Sequence, residues 1–474
     1  MKYEMTIGIE CHVQLKTKTK LFSAVDNDAR DAEPNACVSP GDYAIPGTLP
    51  VLDQEAVRLA VRAGFALKSK ISLYSTFDRK HYFYPDLPGG YQRTQFFKPI
   101  IGEGKVVLPN GHEIRIEHAH IEEDAGKLTH YGNYSLVDLN RAGTPLIEIV
   151  SMPDIHSAED ARLYTEELWR LMTYSDASFG NLYHGNMRFD VNISVAPEGS
   201  KTLGIRTEIK NLNSFRSVER AAAYEYERHV KTIEEGGTIK RETRGWSDAT
   251  GKTTAQRSKE TAQDYLQFPD PDTPPIKLTQ KYVDDIKATM PIMPCEYREI
   301  FSKLKVPANT VEIILDHQTL AGKLHAASKQ TTPELTQKLA NLFVSVLLSE
   351  ENAGLDLTIA SPERLVELVA MNDSGELSST ATKQVLLELF DSKNADKPAR
   401  VIASEMNLIQ QNDTDALEKI IDEVIAMPEA GNAVADIKNG EMKAIGFVIG
   451  LIMRHSKGSA NPAKAREILL KKLK

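Results

Sequence analysis

Apolar and polar positions alternate along several stretches of the N-terminal half. Ile7, Ile9, Cys11, Val13 and Leu15 are interleaved with Gly8, Glu10, His12 and Gln14. This period of two predicts a strand that carries an acid and an imidazole side by side on its polar face. In MRFDVNISV, Met187, Phe189, Val191, Ile193 and Val195 share one face, and Arg188, Asp190, Asn192 and Ser194 share the other. After a turn at Pro197 to Ser200, GIRTEIK puts Ile205 and Ile209 opposite Arg206, Glu208 and Lys210, so a hairpin brings two polar faces together. With turns such as PDLPGG and FPDPDTPP, the chain up to about Pro294 reads as an α+β, antiparallel-sheet domain.

Beyond Pro294 the period changes. Leu339, Leu342, Phe343, Val346 and Leu347, and then Val385, Leu386, Leu389 and Phe390, follow a helical spacing, which predicts an all-α region. The polar stretch DSKNADKPAR separates it from further short helices, the last with Asn461 as N-cap and Pro462 at the first helical position. The expected domains are 1–294, 295–400 and a small all-α tail, 401–474. The apolar run Ala444 to Met453 is too short to span a bilayer, and its Gly446 and Gly450 predict a closely packed helix.

A length of 474 residues is a soft prior of about three domains. With 41% hydrophobic and 26% charged residues, wholesale disorder and an integral membrane protein are both excluded. The N-terminal segment lacks a signal-peptide apolar core, so a cytoplasmic chain is expected. Cys11, Cys37 and Cys295 are too few and too scattered for a disulfide framework, and Cys11 falls on the apolar face of its strand. The net charge of −9 hides an asymmetry: nine Lys or Arg face two acids from Lys438 to Lys474, a balance of +7 that leaves −16 elsewhere. The basic residues Lys443, Arg454, Lys457, Lys464 and Arg466 suit a phosphate backbone, against the plainer alternative of a solvated basic face.

Three strands with Glu10, His12, Asp190 and Glu208 on their polar faces could line one cavity. Carboxylates, a histidine and nearby cations suit a hard divalent ion on triphosphate oxygens, with Arg79, Lys80, Arg206 and Lys210 as phosphate contacts. By pattern alone, alternating charge is also the ordinary exterior of an antiparallel sheet. HAHIEEDAGK adds Glu122, Glu123 and Asp124, among which spacing does not choose. His118 and His120 share a strand face, but without a cysteine set or HExxH no zinc site is expected. Gly251-Lys252-Thr253 is not a P-loop, because Trp246 stands where its first glycine belongs; a hairpin turn is expected there.

IGIECHVQLKTKTKLF, FDRKHYFYPDLPGGYQ, HIEEDAGK, SLVDLNRAGTPLIEIVSMPDI, MRFDVNISV, RTEIKNLNSFRSVERA, RSKETAQDY, FPDPD and GFVIGLIMRHSKGSANPAKAREIL together resemble the B-subunit family of the tRNA-dependent aspartyl/glutamyl amidotransferases over essentially the whole chain. The resemblance implies a cradle-like kinase domain similar to glutamine synthetase, followed by a helical domain and a tail that grips tRNA. It implies ATP- and Mg²⁺-dependent phosphorylation of the side-chain carboxylate of mischarged Glu-tRNA(Gln) or Asp-tRNA(Asn). Ammonia from a glutamine-hydrolysing amidase subunit, braced by a small third subunit, then gives the amide. The family's metal and catalytic positions fall on Glu10, His12, Glu123, Asp190 and Glu208. The choice of Glu123 among the three neighbouring acids comes from the resemblance. The alternative is a non-catalytic tRNA-binding scaffold. Two departures stand out. Ser39 and Asp42 occupy places where many relatives carry zinc-binding cysteines, and Leu266-Gln267 replaces an Arg-Tyr pair after Asp264-Tyr265.

Overall fold

Why the first strand is long follows from its side chains: from Tyr3 to Gln14 every second residue is apolar and can be covered by helices, while the others face away. A computed structural model describes residues 2–258, 266–349, 352, 354–410, 414–438, 441–456 and 460–473. The chain forms two units, Met1–Cys295 and Glu296–Lys474. The first is mixed α+β and the second is helical.

In chain order, the strands of the first unit begin with β1 (Tyr3–Gln14), β2 (Tyr74–Ser75), β3 (Asp78–His81), β4 (Tyr91–Thr94), β5 (Gly104–Val107), β6 (Glu113–Glu123), β7 (Lys127–Tyr131) and β8 (Tyr134–Asp138). They continue with β9 (Pro145–Ser151), β10 (Met187–Pro197), β11 (Thr207–Leu212), β12 (Glu242–Ser247), β13 (Lys252–Ser258), β14 (Gln267–Pro269) and β15 (Ile276–Lys277). The helices are α1 (Gln54–Ala66), α2 (Ala158–Tyr174), α3 (Phe215–Glu234) and α4 (Gln280–Ala288). Asp53, Ser157 and Ser214 cap α1, α2 and α3 through side-chain oxygens that accept backbone N–H groups.

Eight strands make the main sheet, in the order β13-β12-β11-β10-β1-β9-β6-β5. Neighbours are antiparallel except β11 and β12, which are parallel and joined through α3. Ile7, Ile9, Cys11 and Val13 of β1 are buried, as are Phe189 and Val191 of β10. The Phe189 ring lies 6.0 Å from that of Phe215 on α3, so helices cover this face. The opposite face carries Glu10 and His12. At its β6 end stands a small sheet, β14-β3-β4, joined to β6 where the Gln92 side-chain amide donates to the Glu123 carbonyl (2.8 Å).

The expected β10–β11 pairing is present, with one difference. Strand β11 starts at Thr207, so Ile205 and Arg206 lie before it and are exposed. A Cβ on Gly204 would sit 2.1 Å from the Val195 carbonyl oxygen, a close approach only glycine permits. Gly251, at φ +63°, closes the turn of the antiparallel β12–β13 hairpin, and Lys252 and Thr253 begin β13.

The second unit runs through α5 (Pro294–Lys303), α6 (Ala308–Leu315), α7 (Gln318–Ser328), α8 (Pro333–Leu342), α9 (Pro362–Asp373), α10 (Ser379–Leu389) and α11 (Ala399–Glu405). It ends with α12 (Thr414–Ile425), α13 (Gly431–Lys438), α14 (Ile445–His455) and α15 (Pro462–Leu473). Helix α11 packs on α9 and α10, whereas a separate hydrophobic cluster is built from Leu417 to Leu473. The expectation of close packing at Gly446 and Gly450 does not hold. Helix α14 buries Ile445, Val448, Leu451 and Ile452, and both glycines face open space. Among the described residues no helix is long and apolar enough to cross a membrane.

Candidate active site

The register of the main sheet assembles the polar face. Glu10 stands opposite Asp190 across β1 and β10, and Asn192 opposite Glu208 across β10 and β11. On the other side His12 faces Glu148 of β9, which in turn faces His120 of β6. Two groups result, Glu10–Asp190–Glu208 and His12–Glu122–Glu148, each with its ligand-type atoms within 4.8 Å of one another.

Cations and donors hold these acids in place. The Lys210 ammonium contacts Asp190 and lies 3.1 Å from Glu208. Thr243 donates its hydroxyl to Glu208 Oε2 (2.8 Å), and Asn192 donates its amide to Glu10 Oε1 (3.0 Å). His12 Nε2 is 3.5 Å from Glu122 Oε1, and His120 Nε2 is 3.2 Å from Glu148 Oε2. Lys210 can pair with Asp190 because Asn211, at φ +66°, lies where the β10–β11 register shifts and Leu212 comes to oppose Phe189.

Burial pushes the Glu10 carboxyl above its ordinary value, and the charges of Glu148, Asp190 and Glu208 push it further. Burial opposes ionisation of Glu148 too, but its hydrogen bond to His120 and the charges of His120, His12 and Lys80 outweigh this and hold it low. Burial disfavours charge on His120, yet hydrogen bonds to Glu122 and Glu148 raise its pKa to about 9. Lys210 is likewise raised, burial being outweighed by Asp190 and Glu208.

A cavity of about 410 Å³ opens over this face, lined by His12, Glu122 and Asp190 together with Lys80, Arg188 and Lys210. Of the residues expected from sequence, the sheet thus brings Glu10, His12, Asp190, Glu208 and Lys210 together and adds Lys80 at the rim of the cavity. It does not bring in three others. Glu123 points to the opposite side of β6 from Glu122, where its Oε1 accepts the Arg93 backbone N–H (2.8 Å). Arg79 is held by Asp270 (2.7 Å) and Asp272 (2.6 Å) and lies over the Tyr91 ring, while Arg206 is exposed ahead of β11.

Glu148, His120, Arg188 and Thr243 join the site without having been expected in it. The signal for Glu148 was its even position in PLIEIVS, but only the pairing of β9 with β1 shows that it meets His12. Arg188 shares the Asp190 face of β10 and donates to Asp124 (2.8 Å). In the tail, Lys443, Arg454, Lys464 and Arg466 are exposed. Lys457 lies outside the described residues, as do Asp264 and Tyr265; Leu266 is exposed, and Gln267 pairs with Lys80 across β14 and β3.

The first unit thus carries an acid- and imidazole-lined sheet face, and the helical unit that follows it in the chain carries exposed basic side chains near its end. Residues 5–284 match the family described as the GatB/GatE catalytic domain and residues 324–473 match the GatB domain, so the chain belongs to the GatB family, part of the glutamine-dependent, tRNA-dependent amidotransferases. It is 40% identical, over the whole of both chains, to the B subunit of the aspartyl/glutamyl-tRNA(Asn/Gln) amidotransferase of Persephonella marina. The protein of the same name from Geotalea uraniireducens is 42% identical over the whole of both chains. That from Thermotoga maritima is 40% identical over 100% of this chain and 99% of its own.

Proposed function

We propose that this chain is the subunit that activates and amidates mischarged Glu-tRNA(Gln) or Asp-tRNA(Asn), phosphorylating the side-chain carboxylate with ATP before ammonia arrives. The observation that carries this is the meeting of two acid groups with Lys80, Arg188 and Lys210 around one cavity. A carboxylate is a poor electrophile for ammonia, and conversion to an acyl phosphate supplies a leaving group. The carboxylate oxygen attacks the γ-phosphorus and ADP departs. Ammonia then attacks the acyl carbon, loses a proton and expels inorganic phosphate.

The residues present fit divalent cations. Glu10, Asp190 and Glu208 concentrate like charge that Lys210 offsets only in part, and His12 with Glu122 and Glu148 offers a mixed nitrogen and oxygen set. Bound Mg²⁺ would neutralise phosphate oxygens. The chain's own task is positioning: Lys80, Arg188 and Lys210 line the cavity that would receive the transferring group, and Thr243 and Asn192 fix the carboxylates. The Glu123 position implied by the resemblance lies with Arg93 in a different cavity, outside this group of residues. A largely antiparallel sheet with one helix-covered face and one face bearing acids, histidines and cations supports the cradle-like, glutamine synthetase-like kinase description.

Ammonia would come from the amidase subunit of a heterotrimer completed by the small subunit. The tail, taken from residue 401, has its own apolar cluster from Leu417 to Leu473, and its exposed basic side chains suit the tRNA backbone. In the reconstituted complex, Asp190→Asn is expected to abolish ATP turnover driven by Glu-tRNA(Gln) or Asp-tRNA(Asn) while leaving tRNA binding near normal. Unchanged turnover would instead support the non-catalytic scaffold. Free glutamate stimulating phosphate release as well as charged tRNA does would favour a small-molecule ligase.

A further inference from the structure

Asp86, Glu122, Asp124 and Asp190 are the carboxylates that line the cavity of about 410 Å³. Three of them have cations of the chain at hand. Glu122 lies 3.5 Å from His12 Nε2 and 3.8 Å from His120 Nε2. Asp124 Oδ2 accepts from Arg188 (2.8 Å) and stands 3.2 Å from Arg141 Nε, and Asp190 contacts the Lys210 ammonium. Among the described residues no ion pair reaches Asp86, and its Oδ1 is buried without a hydrogen-bond partner. Burial pushes its carboxyl above the ordinary value; its own backbone N–H and the Arg141 charge pull the other way, and the Asp124 charge adds to the rise.

The backbone, not the carboxylate, fixes this position. Leu87 is buried and its N–H donates to the Tyr84 carbonyl (3.0 Å), while the Gly126 N–H donates to the Asp86 carbonyl (2.9 Å). A Cβ on Gly126 would lie 3.3 Å from that carbonyl oxygen and 2.9 Å from the Asp138 carbonyl oxygen, so a glycine lets the Asp86 loop lie close against the segment after β6. A carboxylate held partly buried and unpaired costs stability, and the fold keeps this one on the wall of the cavity. Neither acid group that fits a divalent cation includes it. On the phosphorylation reading, the triphosphate and the side-chain carboxylate are anionic and fall to Lys80, Arg188 and Lys210. The charged group of the substrate left over is the α-amino group of the aminoacyl ester, which offers N–H donors and, when protonated, a positive charge.

We propose that Asp86 binds the α-ammonium of the aminoacyl ester and so selects an aminoacyl group with a free amine. The inference rests on the phosphorylation reading above. The cavity then matches both charges of the substrate's amino acid, its cations taking the carboxylate and phosphate and Asp86 taking the amine.

The test uses the complex reconstituted with its amidase and small subunits, comparing wild type and Asp86→Asn on Glu-tRNA(Gln) and on N-acetyl-Glu-tRNA(Gln), whose amide nitrogen carries no charge. Asparagine keeps the size of the side chain and leaves the backbone contact with Gly126 in place. Loss of a hydrogen bond between charged groups weakens binding about 10–100-fold, so Asp86→Asn should raise the KM for Glu-tRNA(Gln) by roughly that factor. N-acetylation should raise the wild-type KM similarly, and the substitution should then add no more than about twofold, because the contact is already gone. Equal rises for both tRNAs would overturn the proposal, since a merely structural loss acts on both, and so would unchanged KM values. A rise confined to the Mg²⁺ requirement would overturn it by making Asp86 a metal ligand. A rise confined to the ammonium chloride needed when glutamine is withheld would overturn it by giving Asp86 to the incoming ammonia. Absence of tRNA-driven ATP turnover in the wild type would refute the phosphorylation reading, and the same four-way comparison of equilibrium dissociation constants would still decide the ammonium contact.

Discussion

Replacing Glu10 by glutamine should make the cation-free protein more stable while weakening its response to Mg²⁺. The Glu10 carboxylate lies within 4.8 Å of ligand oxygens on both Asp190 and Glu208. At that separation and an effective dielectric near 20, each like-charge pair costs about 3.5 kcal/mol. Lys210, paired with both partners, offsets most of one such repulsion. Glutamine keeps an acceptor for Asn192 and removes the charge, so the net gain should be about 1–3 kcal/mol. The only two tryptophans, Trp169 and Trp246, both lie in the first unit, so their fluorescence during urea denaturation reports that unit alone. In EDTA the midpoint for Glu10→Gln should exceed that of the wild type. With Mg²⁺ at 100 times its dissociation constant the wild type gains about 2.7 kcal/mol, and the variant should gain clearly less. A lower midpoint in EDTA, or an equal Mg²⁺ gain, would refute the idea that Glu10 is a strained member of a cation site.

Three further outcomes follow from particular contacts. Glu225 on α3 is buried, which favours its neutral form, but hydrogen bonds with His229, Arg228 and Thr253 hold its pKa at about 2. A carboxyl depressed on folding stabilises above its unfolded pKa and loses that stability as pH falls. Wild type should therefore lose about 3 kcal/mol between roughly pH 4.5 and 2, and Glu225→Gln much less, as read by denaturation across that range. Thr243→Val removes the hydroxyl that fixes Glu208, so the Mg²⁺ concentration for half-maximal ATP turnover should rise about tenfold and Thr243→Ser should restore it; an unshifted Mg²⁺ requirement counts against a positioning role. Changing Lys443, Arg454, Lys464 and Arg466 to glutamine should flatten the dependence of log K for tRNA on log salt by about 0.7–0.9 per lost contact; an unchanged slope would remove the tail from the binding surface.

The sequence made much of this site legible because strands obey a strict parity. In β1 and β10 that parity alone puts Glu10, His12 and Asp190 on one side and the core on the other, and the register then pairs Glu10 with Asp190. The same rule applied to β6 distinguishes the neighbouring acids: His118, His120 and Glu122 share a face, while Glu123 falls with Ala119 and Ile121. Arg79 and Arg206, expected as phosphate contacts, lie outside the site for other reasons. Arg79 is claimed by Asp270 and Asp272, distant in sequence, and Arg206 precedes a strand whose start is set by the close approach of Gly204 to Val195.

Alternation could not separate a working face from a wet one, and burial does. Charged groups on the solvated side of an antiparallel sheet keep most of their hydration, whereas here Glu122 is 2% exposed, His120 7% and Glu208 8%. Bringing five carboxylates from five strands together, Glu122 and Glu208 buried and the other three partly so, costs stability that Lys80, Arg188, Lys210 and His120 offset only in part. The fold tolerates this because the opposite face is tightly packed, with Ile7, Cys11, Ile147, Ile149 and Ile193 wholly buried. The strain is therefore concentrated at Glu10, whose carboxyl is pushed up by burial and by Glu148, Asp190 and Glu208, and stability and function should move in opposite directions when it is neutralised, whereas neutralising Glu148, held low by His120, should lose both.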